Sequence, residues 1–571
     1  MAGTVALLSF QVRLDIGGDN GEYLALAKAL STRQGYRMIA EPGEPLETKR
    51  WPGYPVLLAG WMLLLGSDIA ALKAASVVCF AAGAALTWML LRRQAGSTPW
   101  LALAGLALVA MNPEALHYAS TLFSEMLFLL LTVAALLALE KTAEGDRPWA
   151  WAAATALSAI GAIYTRPQGL VLVPTAFVFL AVSRRWAQAI AVPAVMGLAL
   201  LPWMWRQTQA TVQGQHTYLA RTLAQTEEDA PEASGLAKYA YRVGRNGAVH
   251  FLSMGRTVLT RPRHIGFVPF VPPAPQDDDE VSSGGAADEA GVGEAGFDAG
   301  KASRYLLAAV VVLGAVVSWR RRGSALHWYL ILTFVLLLVA PWPRARYLVP
   351  LLPVFAWFLL SAVRWLPRLL RRWLDEDGVR KLGAAGVAAV VALALLLGAM
   401  FISQQLIANL QHRGLPHWAP ERYVHEGLDI ANYMRAVAWL RDNTPADAIV
   451  VARKPYQVYW VAGRQSDVVW NESVEGAWKG FLDMGRFGRP VYVIEDAFNE
   501  RFDPRAQARS WWGPALRAHA GAGACLLFET DPPHVRVWRI EAAVPRADAL
   551  SAAPAASSAS RVWWEVARCA S

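Results

Sequence analysis

The sequence predicts an all-α polytopic membrane domain of about eleven spans plus an interfacial helix, followed by a small extracytoplasmic α/β C-terminal domain. Three observations lead there. Of 571 residues, 55% are hydrophobic and only 17% charged, against roughly 25% charged in an ordinary soluble domain. Apolar runs approaching the ~20 residues that cross a hydrocarbon core recur as far as residue 402. Beyond Glu421 the pattern turns to short segments of soluble type. The formal charge of +9 could suggest nucleic acid, but the arginines sit between apolar runs, where membrane topology accounts for them. Cys79, Cys525 and Cys569 show no CxxC spacing and indicate no thiol metal site; a Cys525–Cys569 bridge stays open.

The polytopic domain is expected over residues 1–402. Residues 2–12 are apolar but, as a helix, would cover roughly 16 Å, about half a bilayer. No basic segment precedes them, so a cleavable signal is not expected; they read as a short first span or as the result of a start codon placed late. Residues 13–68 form a first outer loop. Its end, Val56–Gly66, is too short to cross and is expected at the membrane surface, with Trp61 and the entering prolines holding it there. Spans are then expected at about 69–91, 98–112, 122–140, 149–164, 168–183, 187–205, 303–319, 325–341, 346–363 and 381–402. Between them lies a long outer loop, 206–302, whose stretch 272–300 is Gly-, Ala- and acid-rich and is expected to be disordered.

Orientation follows from the basic residues. With a cytoplasmic N-terminus, Arg92-Arg93, Lys141 with Arg147, Arg184-Arg185, Arg320-Arg321-Arg322 and the cluster from Arg364 to Lys381 all fall on the cytoplasmic side, as the positive-inside rule requires. The alternation holds only if Val56–Gly66 does not span. The first loop, the segment 112–125, the Arg166 turn, loop 206–302 and the C-terminal region then face outside. In that C-terminal region, residues 421–543, Leu428–Asn443 alternates as a helix and stops before Thr444-Pro445. Ala448–Ala452, Pro490–Ile494, Ala524–Phe528 and Val535–Ile540 read as strands. Residues 544–571 form a low-complexity tail.

The outward-facing charges are the candidate site. Asp19 and Glu22 lie where the first loop enters a helix, a position that also suits plain N-capping. Glu125 lies at the outer end of an apolar span, where an acid is costly unless it faces a polar cavity or a cation. Two acids from separate segments at one membrane face suit general-base work or metal coordination. Lys49, Arg50, Arg166, Arg344 and Arg346 break the positive-inside trend. Each alone could be a snorkelling side chain; together, beside two acids, they suit an anion clamp, for which Arg is the preferred residue. His117 and His216 have no metal-ligand spacing. No phosphate-binding Gly-rich loop is present, which disfavours a soluble nucleotide donor and favours a lipid-borne anion.

Five segments in order carry a resemblance: Gly17–Tyr36 (GGDNGEYLALAKAL…GY), Lys49–Gly66 (KRWPGYPVLLAGWMLLLG), Ser120–Leu131 (STLFSEMLFLLL), Tyr164–Pro174 (YTRPQGLVLVP) and Arg344–Pro353 (RARYLVPLLP). Trp439–Arg464 is similar to the soluble tail of some bacterial members. The chain thus resembles GT-C-fold glycosyltransferases of the bacterial protein-mannosyltransferase and aminoarabinose-transferase type (glycosyltransferase family 39-like). The resemblance implies inverting transfer of a sugar from a polyprenyl-phosphate donor at the extracytoplasmic face of the bacterial inner membrane. It implies Asp19, or Glu22 of the same DNGEY segment, as general base and Glu125 as a second acid. Lys49, Arg50 and Arg346 would hold the donor phosphate, with Arg344 and Arg166 beside them. Where the family often has two prolines in the corner, Trp51 here precedes Pro52.

The implied partners are a polyprenyl-phosphate sugar, a lipid, glycan or protein acceptor and membrane lipids, with no nucleic acid. No cofactor is expected, and a divalent metal, though open, is not indicated. A transporter or flippase of lipid-linked glycans is the alternative, but such proteins commonly have repeat symmetry and broken midplane helices, and no repeat is evident in this chain. A non-catalytic envelope assembly protein is the third reading.

Overall fold

The computed structural model describes residues 2–212, 235–259, 299–321, 323–340, 344–424, 427–469, 473–496 and 511–541. Along the chain the helices are α1 (Ala2–Leu8), α2 (Asn20–Ser31), α3 (Gly53–Leu65), α4 (Ile69–Ala95), α5 (Pro99–Ala110), α6 (Pro113–Ala119), α7 (Glu125–Glu144), α8 (Pro148–Thr165), α9 (Leu172–Val182) and α10 (Trp186–Val212). They continue as α11 (Gly235–Val258), α12 (Ala299–Arg321), α13 (Ala325–Val339), α14 (Leu352–Trp365) and α15 (Glu376–Gln411). Last come α16 (Leu428–Asn443), α17 (Pro455–Ala462), α18 (Val474–Met484) and α19 (Trp512–Ala518). The strands are β1 (Ile449–Val451), β2 (Gln465–Asp467), β3 (Val491–Glu495), β4 (Ala524–Glu529) and β5 (Arg536–Ile540). By contacts, described residues 2–11, 48–259 and 299–411 form one compact unit, and 12–47 with 412–541 form a second.

The first unit is a multi-pass membrane assembly. Six of its described helices are long and apolar enough to cross a bilayer: α4, α7, Trp186–Gln209, Lys301–Arg320, Ala345–Leu370 and α15. The pair α5 and α6, bent by 61°, makes a seventh if counted as one span. This count falls short of the expected eleven, and two local reasons are visible. Helix α1 has 7 residues, about 10 Å at 1.5 Å each. The single span expected at 98–112 is instead part of a bent pair. Pro113 at the first turn of α6 cannot continue α5, and Asn112 caps α6 by accepting from the Ala115 amide at 3.1 Å. Helix α3, 13 residues long, matches the expected short apolar segment.

One end of this unit gathers the basic turns. Arg93 at the end of α4 pairs with Glu144 at the end of α7 at 2.7 Å. Arg185 donates to the Ala143 carbonyl at 3.1 Å. Glu140 accepts from the Ala325 amide at 2.8 Å, and Arg364 donates to Thr98 at 3.1 Å. The turns that the positive-inside argument put on one side therefore meet at one end. Because α7 starts at Glu125 and ends among those turns, Glu125 lies toward the opposite end.

Residues 235–258, expected within a loop, form helix α11. Its buried residues are mixed: Arg242, Asn246, His250, Ser253 and Thr257 are each at most 1% exposed, and Val249, Leu252, Met254 and Val258 are buried with them. Polar residues interleaved on this face leave no long apolar run, so a search for membrane-length apolar segments passes the helix over. Asn246 bonds the end of α13, donating to the carbonyls of Leu337 and Leu338. Of the stretch 272–300, expected to be disordered, residues 272–298 lie outside the described residues, while Ala299 and Gly300 belong to the first turn of α12; the low-complexity 544–571 and His216 also lie outside them.

The second unit is built on a five-stranded sheet in the order β2-β1-β3-β5-β4. The strands β2, β1 and β3 run parallel, and β5 is antiparallel to both β3 and β4. The four strands and the helix Leu428–Asn443 read from the sequence are all present; β2 (QSD) was not foreseen, being three residues without an apolar pattern. One core face joins Val451, Val493 and Trp538 of the sheet to Phe481, Trp512 and Leu516 of α18 and α19. Cys525 is disulfide-bonded and Cys79 is free and buried; Cys569 lies outside the described residues.

Candidate active site

In the first unit the site forms where three turns meet. The corner Lys49-Arg50-Trp51-Pro52 leads into α3, and Gly53 lies against the end of α8. A Cβ on Gly53 would stand 2.8 Å from both Thr165 Oγ1 and the Tyr164 carbonyl, so the approach requires glycine. Trp51 is buried beside Trp203, with ring centroids 5.4 Å apart, and meets the edge of Tyr164 at 6.1 Å. Thus the corner carrying Lys49 and Arg50 packs on the turn that carries Arg166.

Arg166 follows the end of α8 and reaches the start of α7. Its Nη1 lies 2.5 Å from Glu125 Oε1 and donates to Ser124 Oγ at 3.1 Å. The Glu125 side chain is wholly buried and that of Arg166 is 10% exposed. The contact is an ion pair by distance, but its angles fall short of a hydrogen bond, and neither Glu125 oxygen has a hydrogen-bond donor. Distance decides the electrostatics here; the angles say that the carboxylate keeps acceptor capacity, which a buried group seldom leaves unused.

Arg346 joins the same group. The Arg166 guanidinium lies 5.7 Å from the Tyr347 ring centroid and that of Arg346 lies 5.9 Å from it, with Arg346 also 5.8 Å from Phe123. Two cations on one ring repel each other and favour an anion between them. Tyr118, edge-on to Phe123 at 5.6 Å, is within Coulombic reach of Glu125, Arg346 and Arg166. Arg344 begins the short 3₁₀ helix Ala345–Leu351 that leads into α14.

A polar wall adjoins these turns and was not foreseen. Lys73 of α4 is fully buried and donates to the Gln11 carbonyl at 3.1 Å. Tyr54 bonds Ser76 at 3.1 Å, and Ser76 donates to the Thr121 carbonyl at 2.9 Å. The signal for Lys73 was in the sequence, as a lysine four residues into an apolar span, but it was absorbed into the span's hydropathy.

Asp19 and Glu22 belong to the second unit. Gly18 takes a left-handed φ of 66°, open to glycine at little cost, and Asp19 stands at the N-cap of α2. Its side chain makes no capping hydrogen bond, so the plain capping role is not realised. Both carboxylates are half-buried. Burial pushes the Lys454 ammonium below its ordinary range while Asp496, Asp19 and Glu22 pull it back up, which puts that lysine within electrostatic reach of both. Of the residues read from the sequence, the structure therefore groups Glu125, Arg166 and Arg346 beside the Lys49-Arg50 corner in one unit and Asp19 with Glu22 in the other, where Lys454, not foreseen, is within electrostatic reach of both. Among the described residues no three His, Cys, Asp or Glu side chains cluster so as to hold a metal ion.

By its matches to solved structures the chain has the GT-C fold, the fold class that the sequence motifs led us to expect. The chain matches apo ArnT from Cupriavidus metallidurans with a TM-score of 0.55 and 13% identity, over 94% of this chain and 96% of that one. It matches the undecaprenyl-phosphate-bound form of ArnT equally, at 0.55 and 12%. Archaeal oligosaccharyltransferase AglB from Archaeoglobus fulgidus, solved with an inhibitory peptide and a dolichol-phosphate, matches at 0.51 and 13%, over 96% of this chain and 74% of that one. At these identities the likeness is one of fold. In sequence, residues 48–205 match the family described as dolichyl-phosphate-mannose-protein mannosyltransferase; that segment contains Lys49, Arg50, Glu125 and Arg166. No curated protein matches the chain.

Proposed function

We propose that this protein is a membrane glycosyltransferase that moves a sugar, with inversion, from a polyprenyl-phosphate-linked donor to a cell-envelope acceptor. The observation that carries the reading is the buried Glu125–Arg166 pair sharing Tyr347 with Arg346, beside the Lys49-Arg50 corner. Fixed cations of this kind suit a leaving phosphate, and the solved GT-C relatives hold polyprenyl phosphates. The acceptor oxygen attacks the anomeric carbon opposite the phosphate, the carbon–phosphate oxygen bond breaks, and the electron pair leaves with the phosphate. Arg166, Arg344, Arg346, Lys49 and Arg50 stabilise that charge. Asp19, or Glu22 beside it, takes the acceptor's proton. Glu125 holds Arg166 in place and offers its remaining acceptor capacity to a substrate hydroxyl.

In this reading the protein sits in the bacterial inner membrane with the site outside. The shorter helices complete about eleven crossings, and α3 lies at the surface. No cofactor is invoked, and chelator sensitivity will report any metal requirement. The test uses protein in lipid nanodiscs, undecaprenyl-phosphate-linked labelled mannose or aminoarabinose, and an envelope extract as acceptor. Label is expected to enter the extract with inverted anomeric configuration, and Asp19→Asn to slow transfer by about 10²–10⁴-fold. Wild-type protein that moves label across the bilayer without transferring it would instead be a flippase.

A further inference from the structure

The C-terminal unit is usually the easiest part of such a chain to treat as an appendage, but its start of α17 grips the turn that carries Asp19 and Glu22. Gln457 Nε2 donates to two successive carbonyls just before that turn, Asp15 at 3.2 Å and Ile16 at 3.1 Å. Tyr456 packs so closely on Gly21 that a Cβ there would collide with its own Cβ. Its hydroxyl donates to Glu41 at 2.7 Å. Lys28 of α2 lies over the Tyr459 ring, 4.8 Å from its centroid. Upstream, the Leu14 amide donates to the His417 carbonyl at 2.9 Å, and Tyr423 donates to the Leu14 carbonyl at 2.7 Å. Residues 12–47 are therefore held from several sides by chain that lies more than four hundred residues later.

We infer that Tyr456 and Gln457 are positioning residues for the general base, fixing the Asp19–Glu22 turn from the start of α17. This rests on the reading of Asp19 or Glu22 as the base. Burial and the neighbouring Glu22, Glu41 and Glu47 push the Tyr456 phenol well above its ordinary range, leaving it a neutral donor rather than a second base.

Two measurements on the full chain in nanodiscs test this. The first is amide exchange in Gln457→Ala, which needs no donor and is expected to speed exchange of residues 13–22 at least about tenfold by loosening one cooperative segment. Unchanged exchange overturns the clamp, and Tyr456→Phe, which keeps the packing on Gly21 but loses the bond to Glu41, repeats the measurement if Gln457→Ala fails to fold. The second is transfer from undecaprenyl-phosphate mannose or aminoarabinose, where Gln457→Ala should lower kcat while the donor KM holds; an unchanged kcat overturns the positioning role. A wild type that never transfers label defeats the functional reading but leaves the exchange arm decisive.

Discussion

Arg166 and Glu125 set the energetics of the candidate site in the helical unit. A wholly buried carboxylate is tolerable because a guanidinium stands 2.5 Å away, and removing one member leaves the other charge without compensation. Arg166→Gln should therefore lower stability by about 3–5 kcal/mol. The double variant with Glu125→Gln should lose less than the sum of the singles, with a coupling of about 0.5–3 kcal/mol. Denaturation in detergent across the four proteins measures it, and strict additivity would contradict a direct pair. Both residues stood out in the sequence as charges at the wrong ends of apolar segments. Their pairing was not legible, because forty residues and a turn separate them. Lys73 was missed for a related reason: a single lysine hardly alters the hydropathy of the span that contains it.

At the scale of elements, the turns matter more than the spans. Helix α3 begins in a corner that only glycine permits, since a methyl at Gly53 meets Thr165 and a backbone carbonyl at 2.8 Å. Gly53→Ala is expected to cost about 1–3 kcal/mol by forcing the two turns apart. It should also lower transfer, because the Lys49-Arg50 corner then parts from Arg166. Retained activity with a lower melting temperature would show that the corner is packing alone. The long helices were readable because a run of apolar residues suffices to call for one in lipid, where every backbone amide must be satisfied within its own segment. The 61° bend between α5 and α6 and helix α11 were not. Pro113 could end or kink a helix equally well, and α11 has no long apolar run, since its buried residues alternate with polar ones such as Asn246, which bonds carbonyls of α13.

The whole molecule joins residues 12–47 to its C-terminal third. Truncation after residue 411 should therefore leave that loop without Gln457, Tyr456 and Tyr423. Limited proteolysis is expected to cut within 12–47 of the truncated protein and to spare the same residues in the full chain. Equal protection in both would mean that the loop is held by other means. Ordered this way, residues distant in sequence cooperate because contacts, not chain position, decide which segments stabilise one another.

Composition, apolar run length and the placement of arginines were enough to establish a membrane chain with its basic turns at one end, since each is a local consequence of burying backbone in lipid. The same local chemistry exposed most of the candidate charges and the α/β character of the C-terminal region. The pairing of Glu125 with Arg166, the sharing of Tyr347 and the grip of α17 on the Asp19 turn needed the tertiary structure. Each joins segments tens to hundreds of residues apart, and no local pattern encodes which buried charge will find which partner.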